Sequence, residues 1–313
     1  MKLIGKDYRS KFPSEEHFPL FCCVRNETLR LPYFLKYYRT LGFQEFVFVD
    51  NASTDGTTQF LLEQDDCTVF WTDQPYSESC CGIDWINQLL SQLEGQQWVL
   101  IVDADEILVF PKIESIPLRE LTDCLEHEGA NALPTFLLDM YGEGPISKIQ
   151  YSQEGSFIST CPYFDRSGYT LAEAGYFKGL PVRGGARQRL FWDGIQHTAN
   201  PPYLAKTPLV KWNREMRLEA STHIVQGARP GSTSGALLHF KMLSDFSESV
   251  ALEASRKEHW DDAGQYAVYS SVVKACPDLN PMCSLSERYE NSMQLVELGL
   301  MRYRKQLSHL GAK

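Results

Sequence analysis

Apolar positions in the first third of the chain fall into two alternating patterns. Short continuous runs, Pro19–Val24, Phe46–Val49, Thr68–Trp71 and Trp98–Val102, read as strands. Between them apolar residues recur at helical spacing: Leu31, Phe34, Leu35, Tyr38 and Leu41 within 28–41, then segments 56–64 and 83–93. Pro32 sits near the start of the first helix, where a proline is tolerated. The run WVLIV at 98–102 is apolar throughout, as suits a strand covered on both faces. The resulting βαβαβαβ order predicts an α/β fold with a parallel, doubly wound sheet. Ligands of such sheets bind beyond the carboxyl ends of the strands.

Later sequence is less regular. Residues 131–138 read as a strand, 140–155 as a loop, and 163–202 as loops with short strands. A late strand is expected at 237–242 (LLHFKM). Helical patterns at 247–259, 261–274 and 284–306 follow, broken by Pro277 and Pro281. The simplest division is a sheet domain over 1–243, split into a nucleotide-binding half (18–110) and an acceptor-side half (111–243), with a helical extension over 244–313.

Composition narrows the function. The 313 residues carry 30 Lys and Arg against 40 Asp and Glu, a net charge of −10. That balance argues against nucleic acid as a partner, since phosphate neutralisation needs clustered cations. No segment reaches the ~20 apolar residues of a membrane span, and the first 17 residues lack the apolar core of a signal peptide. The expected compartment is the cytoplasm, with peripheral membrane contact by the C-terminal helices left open. The nine cysteines include two adjacent pairs and no CxxC spacing, which points to free thiols rather than structural zinc.

Polar residues collect at three strand ends: Arg25-Asn26-Glu27, Asp50 to Gly56, and Asp103-Ala104-Asp105-Glu106. Two carboxylates two positions apart, just past a buried strand, can turn toward one Mg²⁺ or Mn²⁺, which also takes phosphate oxygens and waters. Such a cation stabilises the charge that develops as a nucleoside diphosphate leaves. The same pair also reads as a solvated acidic turn. Asp50 and Asn51 suit ribose or base contacts, whereas Ser53 and Asp55 suit capping of the next helix. His239 is a candidate nitrogen ligand, and equally a satisfied core residue. Lys241, two positions on, points to the same side of a strand and suits a phosphate. Arg187, within the Gly- and Arg-rich stretch at 183–189, suits a phosphate or a surface hairpin. No GxSxG, P-loop, GxGxxG or HExxH pattern is present, and His127, His197, His223 and His259 show no ligand spacing.

Taken together, Arg25-Asn26-Glu27, Leu31 to Leu35, Leu41-Gly42-Phe43, the run Asp50 to Thr57, Gly82 to Asn87 and WVLIVDADE resemble a bacterial-type branch of glycosyltransferase family 2. The stretches GGARQRLF and GALLHFKML are similar too, so the resemblance spans roughly 18–260. It implies a GT-A fold, Rossmann-like with a mostly parallel central sheet and flanking helices. It implies a hexosyltransferase-like enzyme that moves sugar from a nucleoside-diphosphate-sugar donor to a glycan or other hydroxyl acceptor, with inversion. It implies metal at Asp103, Asp105 and His239, with the Asp103-Ala104-Asp105 turn holding the diphosphate and Asp50 the nucleoside side. Arg25, Glu27, Asn51, Asp84, Asp103, Ala104, Arg187 and Lys241 are the other donor contacts expected from the residues. The adjacent Glu-Asp pair that many relatives use as base is missing between Glu106 and His239. Asp139 and Glu143 are the expected replacements, with Asp165 and Glu173 behind them. A metal-dependent nucleotidyltransferase or phosphohydrolase, and a non-catalytic sugar-nucleotide-binding module, are the competing readings.

Overall fold

The computed structural model describes residues 1–6, 17–194, 197 and 199–304. The expectations for residues 7–16 and for the end of the last helix at 305–306 lie outside the described residues. The elements run β1 (Lys2–Ile4), β2 (Pro19–Val24), α1 (Leu31–Thr40), β3 (Glu45–Asp50), α2 (Thr57–Leu62), β4 (Cys67–Trp71), α3 (Ile83–Leu90), β5 (Gln97–Ile101), β6 (Glu106–Val109), α4 (Leu118–His127) and β7 (Ala132–Asp139). They continue with α5 (Phe157–Thr160), β8 (Tyr163–Asp165), β9 (Tyr169–Leu171), β10 (Pro181–Gly184), α6 (Gly185–Phe191), β11 (Ala205–Trp212), β12 (Arg217–Leu218), β13 (Val225–Gln226) and β14 (Ala236–His239). The last are α7 (Phe246–Arg256), α8 (Trp260–Ala275), β15 (Ser286–Arg288) and α9 (Ser292–Glu297).

A nine-stranded sheet in the order β1-β4-β3-β2-β5-β11-β7-β14-β6 organises the molecule. Strands β2, β3, β4, β5, β7 and β14 run the same way, while β1, β6 and β11 run against them. The fold is therefore α/β with a mostly parallel central sheet flanked by helices, as expected. One face is covered by α1 and α4. Leu31, Phe34, Leu35 and Tyr38 of α1 are fully buried there, each contributing about 1.5–3 kcal/mol. Helix α3 covers the other face with Ile83, Trp85, Ile86, Leu89 and Leu90. A third apolar cluster joins α6, α7 and α8 around Phe191, Phe246 and Tyr269.

Three expectations change. β11 is a central strand that the sequence pattern did not reveal. Pro208 lies inside it and cannot donate to a ladder, so the register shifts between Lys206 and Leu209. The arginine-rich stretch begins in β10, but from Gly185 onward it folds as helix α6 rather than as loop or strand. The long last helix is replaced by β15, paired with β8, and the six-residue α9. Asn291 starts α9 by accepting from the Gln294 N–H at 3.0 Å, and Gly299, at φ 74°, follows its end.

Candidate functional site

Because six strands share a direction, the carboxyl ends of β2, β3, β5, β7 and β14 lie on one edge of the sheet. A cavity of about 630 Å³ opens there, roofed by α7 and by Tyr266 of α8. The helical extension is thus part of the cavity wall.

Two loops form the first side. Asn26, at φ 56°, turns the chain after β2, and its side-chain oxygen accepts from the Thr54 N–H at 2.8 Å. Ser53 and Thr57 hydroxyls accept from the Asn26 and Glu27 N–H groups, at 3.0 and 2.8 Å. Asp55 accepts from the Thr28 and Thr57 N–H groups. Much of the sequence signature in these loops therefore laces one loop to the other. Asp50 belongs to this lacing: it is fully buried and accepts from the Ser53 N–H and the Thr58 hydroxyl, without lining the cavity. Asn51 does line it, with its amide donating to the carbonyls of Thr72 and Gln74. Arg25 lines it as well, donating to the Asn51 carbonyl at 2.7 Å.

The floor is built from β5, β7 and β14. His239 ends β14 and lies in register with Asp139, the last residue of β7, and with Glu106, the first of β6. Its Nδ1 is 2.9 Å from Asp139 Oδ1, and its Nε2 is 3.3 Å from Asp105 Oδ2. Asp139 also receives the Arg187 guanidinium and the Arg187 backbone N–H. The result is a continuous line, Arg187–Asp139–His239–Asp105, from the core to the cavity. Burial pushes the Asp105 carboxyl up, but His239, then Lys241 and Arg30, outweigh it and hold it well below the usual carboxylate range.

Asp103 also lines the cavity, but one of its carboxylate oxygens is held from below. Its Oδ2 lies 3.1 Å from Lys206 Nζ, and Lys206 also bonds Glu106. Burial works against the ammonium, yet Asp103 and Glu106 together raise its pKa. Lys206 was missed in the sequence. Its only signal is a cation inside the largely apolar stretch YLAKTPLV. Among the described residues no three His, Cys, Asp or Glu side chains already converge to hold a metal. The expected trio is a facing pair, Asp105 and His239, with Asp103 turned to Lys206. A pair of protein donors still suits Mg²⁺ or Mn²⁺, which commonly keeps one or two carboxylates beside phosphates and waters.

Glu27 faces the same space and gives Oε2 to Arg30 at 3.3 Å. Burial pushes its carboxyl up to about 7, against the pull of Arg30. Arg30 is held in bidentate fashion by Asp245, at 2.7 and 2.9 Å, which ties the loop after β2 to the start of α7. Ala104 and Lys241 line the cavity, and Lys241 lies over the Tyr266 ring and donates to its hydroxyl at 3.0 Å.

The remaining expected residues lie elsewhere. Asp84 is exposed on α3 and stands 3.9 Å from Arg217. Arg187 is 5% exposed and spends its guanidinium on Asp139 instead of facing the cavity. Neither expected base reaches the cavity. Asp139 is 2% exposed with both oxygens engaged, and Glu143 is exposed on a loop outside the lining. Asp165 is buried against Arg189 and Tyr141, and Glu173 is exposed away from the lining.

Fold and cavity together define a mixed α/β protein with a charged crevice at the carboxyl edge of a mostly parallel sheet. No protein-family model matches the chain, and no curated protein matches it significantly. Among solved structures it is similar to HddC from Yersinia pseudotuberculosis, at 7% identity and a TM-score of 0.28, over 73% of this chain and 79% of that one. A likeness at that level adds nothing to the reading of the site.

Proposed function

We propose that the chain is a metal-dependent glycosyltransferase of the GT-A type, using a nucleoside-diphosphate-sugar donor and a hydroxyl acceptor. The observation that carries this is His239, fixed by Asp139 on one nitrogen and facing Asp105 with the other at the carboxyl edge of the sheet. Carboxylate support of this kind is what a metal-ligating histidine usually has. In this reading Asp105 and His239 hold Mn²⁺ or Mg²⁺, which would offset the charge of a leaving diphosphate when bound. Lys241 and Arg25 supply cationic and hydrogen-bonding contacts to the donor, and Asp139 with Arg187 orients His239. The acceptor's base is sought among cavity carboxylates that keep a free oxygen. Glu27 spends one oxygen on Arg30, and Glu248 of α7 makes no hydrogen bond or ion pair among the described residues.

The test is a panel of nucleotide-sugar donors with and without Mn²⁺, reading nucleoside diphosphate release. Metal-dependent release that Asp105→Ala and His239→Ala each abolish supports the reading. Unchanged release in Asp105→Ala sinks it, and pyrophosphate as the product points to nucleotidyl transfer instead.

A further inference from the structure

Lys206 is 4% exposed and lies under the loop that joins β5 to β6. It comes from β11, the antiparallel strand between β5 and β7, just before the register shift at Pro208. A buried ammonium needs partners, and this one has Asp103 and Glu106. Asp103 is pinned a second time, because its own N–H donates to Glu106 Oε2 at 3.2 Å. Asp103, Glu106 and Lys206 thus close a ring. Within it Asp103 Oδ2 is occupied, while the side chain stays 55% exposed to the cavity.

We propose that Lys206 is a positioning residue that keeps Asp103 out of the metal's coordination. The cation is left to Asp105 and His239, and Asp103 is fixed as a hydrogen-bond acceptor for a ligand hydroxyl. This rests on the reading of the cavity as a metal-assisted donor site. A divalent cation drawn onto Asp103 would meet an ammonium on the same carboxylate, and that repulsion disfavours it. Among the described residues Asp105 has no such cation hydrogen-bonded to its carboxylate: the close side-chain nitrogen is His239 Nε2, itself a metal-ligating atom type.

The experiment is a double-mutant cycle read in Mn²⁺ affinity, from the electron paramagnetic resonance signal of free Mn²⁺, with folding followed by near-ultraviolet circular dichroism. One axis is D103N. The other is K206M/E106Q, which removes the buried charges together. In the wild-type background D103N is expected to change the Mn²⁺ Kd by less than about threefold. In the K206M/E106Q background the freed Asp103 becomes a ligand, so D103N weakens Mn²⁺ binding by about tenfold or more. K206R in place of K206M/E106Q restores the small effect. If K206M/E106Q does not fold, K206Q serves as the second background with the same expected contrast. An equal cost of D103N in both backgrounds overturns the proposal while leaving the metal reading intact. Absence of Mn²⁺ binding by the wild-type protein both with and without a nucleoside diphosphate overturns both.

Discussion

Asp139 stands 2.9 Å from Nδ1 of His239 and thereby decides which nitrogen of that ring faces the cavity. With Nδ1 donating inward, Nε2 is the atom presented to Asp105. If the pair holds a metal, the Asp139→Asn variant loses the anchoring charge but keeps the volume. It is expected to weaken Mn²⁺ binding about 10- to 100-fold, measured by titration calorimetry. Unchanged affinity would show that Asp139 serves only to compensate Arg187.

Glu27 gives a pH signature of defined sign. Its carboxyl is raised to about 7 in the folded protein from 4.5, so folding favours its protonated form. The stability this contributes is fully present below pH 4.5 and is lost as pH rises through about 7. Glu27→Gln removes that loss. The variant is expected to be more stable than wild type at pH 8, by on the order of 1–3 kcal/mol. The two should converge toward pH 4.5, checked by urea denaturation at several pH values. A difference independent of pH would count against a raised Glu27. If Glu27 is also the base, the acidic limb near pH 7 in the wild-type rate profile disappears in this variant and persists in Glu248→Gln.

The tie between Arg30 and Asp245 links the loop after β2 to α7. Arg30 is 7% exposed as a side chain, and Asp245 is 30% exposed. Asp245→Asn removes the charge and one of the two acceptor oxygens, leaving the guanidinium one neutral acceptor there and the longer contact to Glu27, at 3.3 Å. Loss of a partly buried charged hydrogen bond costs about 1.5–3 kcal/mol. Hydrogen exchange should therefore speed up across 246–256 and not in α1, because the buried α1 face is untouched. Equal exchange in wild type and variant would show that α7 is held by Phe246 and Val250 without help from the ion pair.

These residues show where the sequence was informative. The strands β2 to β5 were legible because each is a short apolar run between amphipathic helices, and that local pattern survives folding. Asp105, His239 and Lys241 were legible as strand-end residues. What failed was whatever is decided by a partner on another element. Asp50 and Asp139 both follow apolar runs, and nothing local says that Thr58 or Arg187 will consume their oxygens. Lys206 was hidden because Pro208 disguises β11, and its partners lie 100 and 103 residues away. The stretch at 183–189 looked like a phosphate loop because its glycines suggest backbone approach to an anion. Gly184 in fact turns the end of β10 into α6, and Arg187 points into the core.

That turn yields the sharpest structural prediction. Gly184 has φ 110°, a conformation side chains rarely adopt. A Cβ there would lie 2.2 Å from the Gly168 carbonyl oxygen and 2.8 Å from the Tyr169 Cα, both backbone atoms that cannot swing aside. Gly184→Ala must therefore displace either β9 or the start of α6. Arg187 sits three residues on, and its backbone N–H and guanidinium both hold Asp139. Strain of this kind costs upward of about 1–3 kcal/mol before the clash is counted. The variant is expected to lower Tm by several degrees and also to weaken Mn²⁺ binding, because the shift passes through Arg187 and Asp139 to His239. By contrast, Gly194→Ala, whose Cβ meets no atom within 4 Å among the described residues, carries the backbone strain of its φ of 77° without such a clash. It should lower Tm less and leave metal affinity unchanged. Equal losses of metal affinity in the two variants would mean that the β10–α6 turn does not position His239.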